Sequence, residues 1–341
     1  MLWSVCLAAD PVYYDGVDEK LGTCTYPLFF ANGTPITGEK SGDTVVAKWG
    51  ENSFQELLPE TRIFGGSHND ETPMETSITV KDGATVYNVT GGGLHKSHVT
   101  KSTVIIESGA ICFQVEGGGA AALTTSCDCD YKDGNASNPA ESLCIVDEAN
   151  VIIKEGAKIS GAPYGKSSSL LFGAGQGNGC THVANLTIEG GEFEDTYVTA
   201  AGANGYTGEA NLIIKGGTFG TVVQGANRGI VDSINMEITG GTFENLYVGG
   251  ETADTTVTAT YESANISITG SDVVVENFLP GSNGASTVDN AEKLTAELGE
   301  GVLPNNLSNP LDAKEIFGDV LVAVELEGAP YYYDGVEKKL G

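Results

Sequence analysis

Arginine is almost missing from this 341-residue chain: Arg62 and Arg228 are the only two. Lys and Arg together number 17 against 46 Asp and Glu, giving a formal charge of −29. A surface this acidic repels phosphate backbones and anionic lipid headgroups, which excludes nucleic acid and a charged bilayer surface as partners. Long apolar runs are missing too. No run reaches the roughly 18 residues that a spanning helix needs, so membrane insertion is not expected. Tryptophan is scarce, at 2 residues, and no Cys-x-x-Cys zinc pair exists. The seven cysteines, Cys6, Cys24, Cys112, Cys127, Cys129, Cys144 and Cys180, are an odd number and cannot all pair within one chain. Their count therefore does not define a redox compartment.

What the chain has is glycine, 47 of them, placed in register. Ala184–Phe193, Ala210–Phe219, Ile234–Phe243 and Ala264–Val273 align as Asn, apolar-x-apolar, a Gly-rich turn, then a large apolar residue. Upstream, Thr76–Val86, Ser102–Ile111 and Ala149–Ile159 fit the same frame. One polar position recurs in all seven copies: Ser77, Thr103, Asn150, Asn185, Asn211, Asn235 and Asn265. A second glycine marker recurs at Gly65, Gly91 and Gly117, 26 residues apart each time. Short Val/Ile-rich runs with alternating polarity, repeated every 24–26 residues, predict a solenoid whose coils are built from β-strands. Hairpin-based sandwiches and barrels do not hold Asn and Gly in register over seven copies. In a parallel solenoid, equivalent residues stack one strand spacing apart, about 4.8 Å. The Asn position is then expected to form an amide ladder inside the solenoid, satisfying its own polar groups, with glycine supplying positive φ at the turns.

These Asn-φ-x-φ-x-Gly-Gly and φ-Gly-Gly coils resemble the right-handed parallel β-helix superfamily, also called pectate-lyase-like, and within it the repeat-rich bacterial surface and adhesin-type proteins. The resemblance covers residues 45–285. It implies an all-β right-handed parallel β-helix of about seven to nine coils. The expected organisation is a β-rich segment over 1–45 and the helix over 46–285, with an inserted loop at 124–143. A capping segment over 286–318 is expected to carry a short helix at Ala291–Leu298.

The fold hosts lyases, hydrolases, adhesins and phage tailspikes, so residues must decide function. The chain has no Asp-Asp pair, no Gly-His-Gly and no Arg-x-Lys, and Arg228 reads as a turn residue. His95 and His98 form a His-x-x-His without a third ligand, and read as turn residues. Asp128, Asp130 and Asp133, in the inserted loop, are candidate Ca²⁺ ligands, although their spacing misses the EF-hand pattern. Phe193, Phe219 and Phe243 are stacked equivalents and read as core. No catalytic residue and no other cofactor is expected.

The two ends repeat each other. Residues 2–22 match residues 321–341 at a constant offset, including Pro11, Tyr13, Tyr14, Asp15, Gly16 and Val17 against Pro330, Tyr332, Tyr333, Asp334, Gly335 and Val336. Residues 319–341 are therefore expected to open a second copy of the N-terminal segment, in a tandem array. The functional expectation is a non-enzymatic structural or adhesive module of a large surface protein, extracellular, with a glycan or host-surface protein as partner. The alternatives are a polysaccharide-active enzyme and a phage tailspike or fibre.

Overall fold

Alternation places every second side chain of each coil on one face, and two such faces must bury each other. A computed structural model gives the result. It describes residues 12–14, 20–23, 28–30, 33, 36–41, 44–49, 52–53, 62–120, 129–130, 135–136, 144–176, 179–203, 205–227, 229–249, 260–269, 272–279, 293–298, 321–326 and 329–333. Among these residues the chain is a parallel β-helix with two long sheets, of 13 and 11 strands.

The larger sheet stacks His68–Val80, Leu94–Ile106, Cys144–Ile153, Cys180–Ile188, Tyr206–Ile214, Ile230–Ile238, Thr260–Ile268, Lys293–Leu298 and Leu321–Leu326, each parallel to the next. After each of the first six strands the chain turns at a glycine with positive φ. Gly83, Gly109 and Gly156 have φ of 75°, 78° and 80°. It then enters the second sheet through strands such as Thr85–Thr90, Ile111–Glu116 and Thr218–Gln224. The core lies between the sheets. Leu186, Ile188, Leu212 and Ile214 from the first face Val198, Phe193, Phe219 and Val223 from the second, all at most 1% exposed. The Phe193, Phe219 and Phe243 rings stack at 4.8 and 4.7 Å, nearly coplanar, inside this core.

The glycines at 91, 117 and 173 serve a different purpose from the turn glycines. They close each coil where successive backbones touch: a Cβ on Gly117 would lie 2.1 Å from the Gly173 carbonyl oxygen. Close approach rather than positive φ selects glycine there.

Three boundaries differ from expectation. Part of segment 1–45 joins the helix, because Leu28–Phe30 pairs in parallel with Arg62–Phe64 and Ile36 pairs with Val80, while Val12–Tyr14 and Lys20–Thr23 form a two-stranded sheet of their own. The helix does not end at 285, because Lys293–Leu298 and Leu321–Leu326 extend the larger sheet. The expected short helix at Ala291–Leu298 is instead the strand Lys293–Leu298. Its Leu294, Ala296 and Leu298 register with Ala264, Ile266 and Ile268, so an open sheet edge with matching apolar spacing overrides helix propensity. Both ends of the larger sheet finish antiparallel, through Thr44–Trp49 and Asn52–Ser53 at one end and Ala329–Tyr333 at the other.

Candidate functional site

The recurring polar position forms one column in the larger sheet. Ser77, Thr103, Asn150, Asn185, Asn211, Asn235 and Asn265 are successive register partners. The amides are linked in one direction. Asn265 Nδ2 donates to Asn235 Oδ1 at 3.1 Å, Asn235 to Asn211 at 2.9 Å, Asn211 to Asn185 at 2.9 Å and Asn185 to Asn150 at 3.1 Å. Asn150 closes the chain on the Ser102 carbonyl and on Glu148 Oε1.

The ladder does not lie inside the solenoid. Asn150, Asn185, Asn211 and Asn235 are half-buried and Asn265 is exposed. Parity explains the correction. Each Asn is flanked by two inward residues, such as Ala184 and Leu186 or Ala210 and Leu212, all fully buried. A strand that buries positions on both sides of the Asn must point the Asn outward. The inward position one residue earlier carries the interior polar contacts: the Thr76 and Ser102 hydroxyls donate to the Gly91 and Gly117 carbonyls, each at 2.6 Å.

An open groove of about 420 Å³ runs over this column. Asn185, Asn211, Asn235 and Asn265 line it, with Ile213, Glu237 and Ser267 alongside.

A second polar group lies on the same sheet. His98 Nε2 is 2.9 Å from Asp147 Oδ2, and His182 Nδ1 is 3.1 Å from Asp147 Oδ1. One carboxylate thus clamps three successive strands. Burial lowers the His182 pKa, opposed by the Asp147 charge. Further along, the Tyr206 hydroxyl donates to Asp232 at 2.5 Å. Asp147 and Asp232 occupy equivalent positions three strands apart. That is about 14 Å at the strand spacing, beyond the roughly 5–9.5 Å between the paired carboxylates of glycosidases.

A third group is buried beside the second sheet. Glu116, 1% exposed, accepts from Asn88 Nδ2 at 3.2 Å and Gln114 Nε2 at 2.5 Å through Oε1. Burial raises its pKa, opposed by the Arg62 charge and by the hydrogen bonds it accepts. The repeat frame reveals neither this group nor the His98–Asp147–His182 clamp. His98 and the Asp147 it bonds are 49 residues apart, and the insertion between them breaks the frame that would align them.

Among the other candidates, Asp128, Asp133 and Arg228 lie outside the described residues. Asp130 belongs to the two-residue strand Cys129–Asp130, paired with Asn135 and Ala136, and its side chain is outside the description, as is that of His95. His98, expected in a turn, lies in the strand Leu94–Ile106, and so does the backbone of His95. Among the described residues no group of three or more His, Cys, Asp or Glu side chains is arranged to hold a metal ion. Cys112, Cys144 and Cys180 are buried free thiols.

The fold and its outward columns define the chain as a protein of the parallel β-helix class. No protein family, curated protein or solved structure matches it.

Proposed function

We propose that this chain is a non-catalytic structural and adhesive module of a large repetitive protein displayed outside the cell. The observation that carries the reading joins sequence to topology. Leu321–Leu326 belongs to the segment that repeats the N-terminal sequence, and it adds in parallel register to Lys293–Leu298, Thr295 opposite Leu321. The first strand of the repeated segment is thus a further rung of the stack. Ala329–Tyr333 then folds back antiparallel on it and closes the sheet, so modules would be chained end to end, which favours a long stalk over a compact enzyme. The acidic surface, at −29, fits a soluble, self-repelling stalk in the extracellular medium. The likeness to pectate-lyase-like proteins is one of fold and transfers no activity.

The test is a protein carrying two consecutive copies of the repeating unit, studied by small-angle scattering beside the single unit. The expected result is a rod of unchanged cross-section and nearly doubled length. A compact particle, or two freely jointed bodies, would overturn the array.

A further inference from the structure

The Asn column satisfies itself only in part. Each amide has two N–H donors and two acceptor lone pairs, and the ladder uses one of each per link. Asn211 spends its second N–H on Glu209, two residues earlier, as Asn150 does on Glu148. At the other positions the residue two earlier is Val183, Ser233 or Ser263, and among the described residues no acceptor takes the second N–H of Asn185, Asn235 or Asn265. Outward donors with adjacent carbonyl lone pairs therefore recur along the groove, which also offers the apolar side chain of Ile213.

We infer that this groove docks a neutral, extended polysaccharide chain lying along the solenoid axis. The backbone groups of this face are already spent in the sheet, so a peptide strand finds nothing to pair with. A ligand must use side-chain amides arranged across the strands. From Asn185 to Asn265 these span three strand spacings, about 14 Å, which suits a short run of sugar rings. A hydroxyl both donates and accepts, as each amide does. The charge selects among glycans. Glu237 lines the groove and Glu209 borders it, within a chain of −29, so carboxylated and sulfated polymers are repelled. Four uncharged amides offer a cationic polymer no row of ion pairs. Ile213 supplies an apolar surface for the C–H face of a sugar ring.

This inference rests on the adhesive reading above. Its test is native affinity electrophoresis of the whole chain in gels containing mixed-linkage β-glucan, glucomannan, xylan or galactan, with polygalacturonate and hyaluronate as anionic probes. At least one neutral polymer is expected to retard the chain, and neither anionic polymer should. Ile213→Glu should weaken the retardation at least tenfold, and so should the double variant Asn235→Ala, Asn265→Ala. Lys158→Ala, on the other sheet, should leave it unchanged. Melting curves confirm that each variant is folded, and the half-buried, outward-facing Ile213 gives a second site that keeps the test valid if the ladder variant is unstable. Absence of retardation by every neutral polymer would overturn the docking and leave the non-catalytic reading intact. So would retardation that survives Ile213→Glu, or that only an anionic polymer produces. Cleavage products released from a retarding polymer would instead overturn the non-catalytic reading.

Discussion

At the residue scale, the outward position of the ladder sets what its members are worth. Asn211 donates to Asn185 and Glu209 and accepts from Asn235, but water reaches all of them. Asn211→Leu should cost about 1 kcal/mol, the net value of exchangeable hydrogen bonds. A buried ladder would leave neighbouring amides stranded and cost up to about 3 kcal/mol more; chemical denaturation separates the two. His182 gives a pH dependence. Burial holds its folded-state pKa below the ordinary 6.5, so the unfolded chain binds the proton first as pH falls. Its contribution is fully present above pH 6.5 and is lost as pH falls from there towards the lowered folded-state value. Between pH 7.5 and 5.5 the melting temperature should drop less in His182→Gln than in the parent chain. Equal drops would show that His182 stays out of the proton balance. The thiols are readable in the same way. Burial pushes Cys144 up to about 11 and Cys180 up to about 12, and raises Cys112 as well. With little thiolate and no access, all three should resist iodoacetamide in the native state and label on unfolding, as mapped by mass spectrometry. Rapid native labelling of any of them would contradict its buried position.

At the element scale, the turns after the first five parallel strands of the larger sheet carry a column of alternating charge. Lys81 meets Glu107 at 2.7 Å and Lys154 meets Glu189 at 2.8 Å, with Lys215 at the next equivalent position. The alternation was legible in the sequence once the turn glycines were aligned, yet it becomes an interaction only because equivalent residues stack. Lys154→Glu would set three glutamates in a row and should destabilise by up to about 1 kcal/mol, less at high salt. The charge swap Lys154→Glu, Glu189→Lys should recover part of that loss by restoring one pair, measured in the same denaturation series. No recovery would mean that the column contributes nothing. The irregular coil at Ser160–Gly165, which breaks the repeat frame, also acquires a reason. Its 3₁₀ turn Ala162–Tyr164 lays the Tyr164 ring edge-on against Tyr87 at 5.0 Å, over the outer face of the second sheet.

At the scale of the whole molecule, the reading as a non-catalytic module carries its own expectation. Incubated with pectate, alginate or chondroitin, the purified chain should release no unsaturated oligosaccharide. A lyase needs cationic or metal help to stabilise the anion formed beside a carboxylate, and only 17 of the 341 residues are Lys or Arg. Reproducible release would make the enzyme alternative the better one. The sequence by itself determined the solenoid, its period and the residues that stack. In such a fold each residue's nearest neighbour along the axis is its own counterpart one repeat away, so register is written as periodicity. It also contained the parity that turns the Asn column outward, in the apolar residues on either side of each Asn. Only the tertiary structure decided the rest. Lys293–Leu298 is a strand because an open edge with matching apolar spacing lies beside it. His98, Asp147 and His182 meet because the stack resumes after the insertion, with Ser97 opposite Cys144. Such contacts depend on how far each coil departs from the common length, and a departure from periodicity carries no signal of where the chain will return.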